Sequence, residues 1–181
     1  MLEDHLSEDD PVDATALAWI RERPGTPVEG IGVVTRIWRL AKLLGDDRRR
    51  TLAAAGADAA TLDLLSVLRR SGPPYRLTTR ELGERSRVTA GAISQRVARA
   101  EERGLVERDR IRGSRRVEVT LTRPGHALVE SLVDRVLGRE AELVADLSAE
   151  QRQALTELLR ILLDDLQRRL GPASFSQVGA D

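Results

Sequence analysis

The residues of this chain best suited to binding chemistry are arginines, and they are concentrated in one segment. Between residues 80 and 116 there are eleven arginines and six acidic residues, a net charge of +5 within a chain of 181 residues whose formal charge is zero. Arginine presents forked donors that match phosphate and the edge of guanine. Because charge acts through its distribution over a surface, the neutral total does not exclude a nucleic-acid partner.

Small and polar residues in the same segment predict contact with bases. A helix that enters the major groove of DNA needs such side chains near its N-terminus. The helix predicted from Ala90 to about Arg103 has them, while Ile93, Val97 and Ala100 lie on the opposite stripe and would anchor the helix to a core. We predict that the helix and the basic hairpin after it contact DNA through Thr89, Ala90, Gly91, Ser94, Gln95, Arg99, Arg110, Arg112, Arg115 and Arg116.

The elements that position these residues follow from capping residues and periodicity. Thr78 and Glu81 have the spacing of a capping box, which opens a short helix. Thr89 caps the next helix and Gly104 ends it. After Gly104 the pattern changes to two strands, near 105–108 and 117–121, joined by the basic hairpin. Two helices joined by a tight turn and followed by such a hairpin predict a winged helix-turn-helix.

Helical periodicity in the rest of the chain predicts a mainly α fold in which this β-hairpin wing is the small β component. The expected divisions are an acidic disordered arm at 1–13, N-terminal helices for ligand capping and dimerisation at 14–57, the winged helix-turn-helix domain at 58–122, C-terminal dimerisation helices at 123–170 and a disordered tail at 171–181. The long helices have more apolar surface than one small core needs, which favours a homodimer. The alternative is a helical core within one chain.

Composition argues against several other classes of protein. With no cysteine, the chain cannot form disulfides, Cys-ligated zinc sites, iron–sulfur clusters or thiol redox sensors. His5 and His126 lack metal-ligand spacing, and no glycine-rich phosphate loop precedes a helix, so we expect no enzyme, metal or cofactor. The acidic N-terminus has no apolar segment typical of a secretory signal, and no apolar run is long enough to span a membrane. We therefore expect a cytoplasmic protein.

Residues 77–108, LTTRELGERSRVTAGAISQRVARAEERGLVER, and the strand VEVTLT at 117–122 resemble the MarR family of bacterial transcription regulators. The order of the flanking helices extends the resemblance to roughly residues 28–170. It implies a homodimeric repressor whose helices interleave with those of a second subunit and which reads a pseudo-palindromic operator in double-stranded DNA. The family usually has Asp-x-Arg in the wing, whereas this chain has Gly113-Ser114-Arg115, so Arg115 lacks its acidic partner.

Two polar residues stand where core residues are expected. Arg96 shares a helical stripe with apolar residues, and an inward-facing arginine needs a partner. Asp63, among the apolar residues of its own helix, is the candidate; Arg108 could join the pair, and the ring of Trp19 could cover a cleft.

The four positions Trp19, Asp63, Arg96 and Arg108 resemble those of the urate-responsive branch of the MarR family. The resemblance implies that a small anion, urate-like or phenolic, binds there, displaces the recognition helix (the helix predicted from Ala90 to about Arg103) and releases DNA. The alternative interpretation is a structural Asp63–Arg96 bridge, an Arg108 that contacts phosphate and a Trp19 in the core. A ligand-independent DNA-binding regulator and a winged-helix partner-binding module without DNA binding also remain open.

Overall fold

The computed structural model describes residues 5–110 and 116–171. In this part of the chain, seven helices and three strands follow one another as α1 (Pro11–Glu22), α2 (Ile31–Ala54), α3 (Ala59–Arg70), β1 (Arg76–Thr78), α4 (Thr79–Ser86), α5 (Ala90–Glu102), β2 (Val106–Arg110), β3 (Val117–Leu121), α6 (Arg123–Leu143) and α7 (Ala149–Leu170). The prediction of a mainly helical winged helix-turn-helix protein is confirmed. The chain divides into two compact units, Met1–Arg48 and Arg49–Asp181.

In the N-terminal unit, α1 begins earlier than the sequence predicts. Asp10 caps the helix by accepting hydrogen bonds from the backbone N–H groups of Val12 and Asp13, and Pro11 occupies the first turn. Arg36 lies 2.9 Å from a carboxylate oxygen of Asp10 and 2.9 Å from one of Asp13, which is buried. The prediction of a disordered arm over 1–13 is therefore wrong for its last residues, because two of its acids pair with an arginine far along the chain.

The predicted capping residues set the helix bounds in the C-terminal unit. Asp58 begins α3, Thr89 begins α5 and Thr122 begins α6, each through a side-chain oxygen that accepts a backbone N–H. Complete capping boxes open α4, at Thr78 and Glu81, and α7, at Ser148 and Gln151. These caps satisfy N–H groups that have no partner within a helix, so a local sequence signal is enough to fix where each helix starts.

The sheet has the order β1-β3-β2, with both pairs antiparallel. The register pairs Val106 with Leu121 and Arg110 with Val117. Strand β1, which the sequence analysis did not predict, adds to the other side of β3 by pairing Leu77 with Val119. The predicted two-stranded wing is thus the outer part of a three-stranded sheet whose third strand leads directly into α4.

An aliphatic core in the C-terminal unit joins the sheet to the helices. Its fully buried side chains include Leu52, Leu64, Leu65, Leu68, Leu82, Ile93, Val97, Val106, Val119, Val129 and Leu132. At its edge, Gly125 in the first turn of α6 lies directly against the backbone of Leu105, since a Cβ at this position would be 2.1 Å from the Leu105 carbonyl oxygen. No side chain fits there, so the glycine sets how closely α6 approaches the start of the wing.

By contrast, α7 buries none of its residues, although one face is rich in leucine. Within the described residues, most leucines of this 22-residue helix stay exposed to solvent. Among the described residues, no single helix has the length and apolar composition needed to cross a bilayer; α2 and α3, bent by 80°, meet the criterion only when they are counted together. The disordered tail predicted at 171–181 lies outside the described residues apart from Gly171.

We expect Gly125→Ala to lower the free energy of unfolding by about 3 kcal/mol, because the added methyl group must displace backbone rather than a flexible side chain. Chemical denaturation measures the change. Gly138→Ala is the matched control on the same helix: a Cβ there meets nothing within 4 Å. The control should raise stability by about 0.5 to 1 kcal/mol. Equal effects of the two substitutions would contradict the close approach at Gly125.

Candidate nucleic-acid interface and the arginine pairs behind it

The predicted base-contacting residues lie on one open edge of α5. Thr89, Ala90, Gly91, Ser94 and Gln95 are all exposed, at or near the N-terminus of the helix. The opposite stripe, Ile93, Val97 and Ala100, is buried, as the periodicity predicts. The exposed edge has the side-chain size and the donor and acceptor groups that a base-reading surface needs.

The turn before this helix is fixed by backbone geometry. Arg87 ends α4 in the left-handed conformation, with φ 54°, and the N–H of Val88 donates to the carbonyl of Gly83 at 3.2 Å. At the other end of α4, Glu81 accepts hydrogen bonds from the backbone N–H and the hydroxyl of Thr78, which hold the pKa of Glu81 below its ordinary value. Both ends of α4 are therefore fixed, and α5 follows it in one defined direction.

Behind the exposed edge, Arg96 forms the pair that the sequence analysis expected. Its Nη1 donates to Oδ2 of Asp63 on α3 at 2.6 Å. The Asp63 side chain is 2% exposed and that of Arg96 is 17% exposed. Burial raises the pKa of Asp63, and the hydrogen bond and charge of Arg96 oppose that rise. The pair joins the middle of α5 to the core by a directional contact.

Arg108 does not join this pair, which corrects the expectation that it would. Its guanidinium donates to Glu101 instead, with Nε at 2.7 Å from the carboxylate. The chain reverses after α5, so that β2 runs back along the last turn of the helix and places Arg108 beside Glu101. This contact lowers the pKa of Glu101.

A cavity of about 500 Å³ lies between α4, α5 and the wing strands. Arg108 and Ser94 both line it, whereas Asp63 and Arg96 do not; its other walls are Thr79, Arg80, Gly83, Glu84, Val88, Ala90, Val97 and Val117. The sequence analysis did not predict that α4 contributes to this cavity. The structure thus places the two predicted ligand arginines at different sites.

The remaining predicted residues are distributed as follows. Trp19 lies on α1 in the N-terminal unit and is half-exposed. Arg110 ends β2 and Arg116 precedes β3, and both are exposed. Arg112 and Arg115, with the departure from the Asp-x-Arg pattern, lie outside the described residues. Their roles in binding stay predictions.

Arg99 lies on the flank of α5 that faces the start of α3. Burial acts to raise the pKa of Asp58, but hydrogen bonds from Thr61 and the charges of Arg99 and Arg103 together hold it below its ordinary value. Arg99 is exposed, so a contact with DNA stays a prediction for it as well. Among the described residues, no three acidic or histidine side chains come together in a group that could hold a metal ion.

Arg96→Ala should cost about 3 kcal/mol of stability at neutral pH, and more than Asp63→Ala, because it leaves the more deeply buried charge unpaired. Without Arg96, the folded-state pKa of Asp63 should rise further above its unfolded value. A raised folded-state pKa favours the folded state at low pH, and this advantage is lost as pH rises through the folded-state pKa. Denaturation of Arg96→Ala from pH 4 to pH 8 should therefore show the smallest loss at acidic pH; a loss independent of pH would contradict a buried, unpaired Asp63.

Comparison with known proteins agrees with this architecture. Residues 56–116 match the model of the MarR family. The chain is 28% identical over 142 residues to the HTH-type transcriptional regulator PecS of Dickeya dadantii (strain 3937), an alignment that covers 78% of this chain and 86% of PecS.

Solved structures give the same result. Sco3205, a MarR family transcriptional regulator from Streptomyces coelicolor solved in complex with DNA, superposes with a TM-score of 0.63 at 28% identity and covers 82% of this chain and 91% of its own. BpsR of Bordetella bronchiseptica, whose DNA binding is regulated by 6-hydroxynicotinic acid, gives 0.59 at 25% identity, over 71% of this chain and 93% of its own. The matched segment, the relatives and the fold together make this chain similar to winged-helix transcriptional regulators of the MarR family.

Proposed function

We propose that this chain is a homodimeric repressor that reads a pseudo-palindromic operator through α5 and is released from it by a small anion. The observation that carries the proposal is the exposed polar edge of α5 with the largely buried Asp63–Arg96 pair directly behind it. The exposed edge of α5 contacts bases, and the arginines of the wing contact phosphates. An anion that competes with Asp63 for Arg96 changes the orientation of α5.

Exposed apolar surface supports the dimer. Leucines cover one side of α7, where Leu158 is 65% exposed, and Trp38 on α2 is 71% exposed. The large apolar residues exposed on α6, at its C-cap and on α7 are Leu137, Leu143, Val144, Leu155, Leu158, Leu159, Ile161, Leu163, Leu166 and Leu170. Isolated helices owe most of their stability to packing of such a face, and monomers rarely expose a continuous apolar area of this kind. A second copy of the chain covers these helices and sets two recognition helices about 34 Å apart, one turn of DNA.

The charge distribution supports a DNA-binding surface on the winged helix. Its net positive segment faces a polyanion whose bound counterions are released on binding, so affinity falls steeply with salt. The solved complex of Sco3205 with DNA supports the same use of the fold, because the alignment covers 82% of this chain.

We expect the full chain to shift duplexes from the intergenic DNA beside its own gene, with an affinity that falls steeply between 50 and 200 mM salt as phosphate contacts are screened. Replacing both Arg112 and Arg115 by Ala should weaken binding to every sequence and reduce the salt slope by about 2. Gln95→Ala should instead relax sequence preference, at a cost of about 1 to 3 kcal/mol on the best site.

Fluorescence anisotropy against salt, on the preferred and on a scrambled duplex, separates these effects. If no duplex binds at low salt, the DNA-binding proposal is wrong. If the double wing variant binds as the wild type does, with the same slope, the wing does not contact phosphate and the winged-helix partner-binding module is favoured.

In the ligand proposal, a urate-like or phenolic anion acts at two places in the C-terminal unit, the Asp63–Arg96 pair and Arg108. At each arginine the anion exchanges with a carboxylate: with Asp63 at Arg96, and with Glu101 at Arg108. The cavity beside Arg108 has a volume suited to a small aromatic acid. The regulation of BpsR by 6-hydroxynicotinic acid supports a ligand of this class.

Titration calorimetry with urate, 4-hydroxybenzoate and 6-hydroxynicotinic acid should give binding heat for at least one of the three, and that anion should release operator DNA. Arg108→Ala should weaken binding about tenfold, since a charge-assisted hydrogen bond is lost. Arg160→Ala, which removes an equally paired arginine of α7, is the control and should bind normally. The absence of both heat and DNA release across the panel would favour the ligand-independent regulator.

A further inference from the structure

We propose that Arg103 is a positioning residue that holds the C-terminal end of the recognition helix and thereby determines which half-site spacing the dimer accepts. The inference rests on the proposed function, because it requires a dimer that reads two half-sites. It concerns a contact at the opposite end of α5 from the base-reading edge.

Arg103 connects two helix ends. It is the C-cap of α5, where its backbone N–H donates to the carbonyls of Arg99 and Glu101. Its side-chain Nη2 donates to the carbonyl of Gly56 at 3.0 Å, across 47 positions of sequence. The recognition helix is therefore tied at its last turn to the α2–α3 corner, which comprises residues 55–58.

The acceptor in this corner is itself fixed. Gly56 takes a positive φ of 67° just after α2. Its N–H donates to the carbonyl of Ala53 at 3.0 Å, and the N–H of Ala57 donates to that of Leu52 at 3.0 Å, the paired bonds of a Schellman end. The Gly56 carbonyl consequently has a defined direction, and a cation beside it also stabilises the negative end of the α2 dipole.

Asp58 adds a negative charge to the same corner. Its carboxylate accepts the N–H of Thr61 at 2.7 Å as the N-cap of α3, and the charges of Arg99 and Arg103 both act on it. Arg103 thus has a neutral acceptor and an anion to hold it, and both belong to helix ends that the core keeps in place.

Together with the Asp63–Arg96 pair, this contact fixes the tilt of α5. Burial of the apolar stripe is non-directional and permits a small rotation, whereas hydrogen bonds at the middle and at the end of the helix do not. A helix of 13 residues is about 20 Å long, so a tilt of about 10° around its middle moves the reading edge by about 2 Å. Such a displacement exceeds what a hydrogen bond to a base tolerates.

In the dimer, two copies of α5 must contact their half-sites at the same time. The rigidity of the contacts that hold each helix therefore determines how strongly the dimer prefers one half-site spacing over the others. The test uses the full chain and an operator recovered by selection from a random duplex library. Duplexes whose central spacer is one base pair shorter, unchanged, or one or two longer are then compared by anisotropy at one salt concentration.

The wild type should prefer one spacing by at least about tenfold. Arg103→Ala should reduce that preference about fivefold, and Arg103→Lys should restore part of it. Asp58→Asn should also reduce it, because asparagine keeps the helix cap but removes the charge. Arg123→Ala, the loss of an exposed arginine at the start of α6, is the control and should leave the preference unchanged.

The two main variants change the charge in opposite directions, and this separates positioning from phosphate contact. If Arg103→Ala weakens all spacings equally and lowers the salt slope, while Asp58→Asn keeps the wild-type preference, Arg103 contacts phosphate and the inference is wrong. A wild type with a sharp preference that both variants retain also overturns it, and leaves the proposed function intact. If selection with the wild type recovers no duplex, the proposed function fails first, and this inference fails with it.

Discussion

The orientation of α5 and its exposed polar edge depends on the buried ion pair between α3 and α5. Asp63 and Arg96 meet at 2.6 Å with little exposure to water, so each replaces part of the hydration that the other has lost. Apolar residues of similar volume would seat the helix at least as stably. The ion pair instead makes the contact that holds α5 directional and charged. The orientation of the exposed edge of α5 therefore depends on a contact for which other anions can compete.

The sequence predicted features whose causes are local. The caps at Thr89 and Ser148 act within one helical turn, and an arginine within an apolar stripe requires a partner wherever it lies. The sequence did not predict contacts that form only when segments far apart in the chain fold against each other. Arg36 reaches Asp13 across 23 positions, and β1 has only three residues, too few to show alternation before β3 pairs with it. The acidic N-terminus therefore seemed fully solvated, although part of it caps and anchors a helix.

Charge and composition take on a more specific meaning in this fold. The neutral total combines an acidic N-terminus with a basic winged helix, so the sign of the surface that meets DNA is set by a segment of the chain. Because the chain has no cysteine, the proposed response to small molecules does not proceed by oxidation of a thiol. Its core is aliphatic, and its few aromatic residues include Trp19 and Trp38, both of them on exposed surfaces.

In the ligand proposal, an anion acts at two arginine–carboxylate pairs, which differ in the free-energy cost of displacing the carboxylate. Exchange of a ligand anion for a carboxylate keeps the charge beside the arginine unchanged, so its cost depends on whether the displaced carboxylate can return to water. A ligand shifts the equilibrium between the DNA-bound and DNA-free forms only by the difference in its affinity for these two forms, typically about 1 to 3 kcal/mol. The Asp63–Arg96 pair leaves a buried carboxylate behind when it breaks, whereas Glu101 is partly exposed and can return to water when it leaves Arg108. In the proposed mechanism, an anion that enters the cavity at Arg108 therefore has the smaller cost to overcome, and the release of Arg96 is the step that displaces the helix.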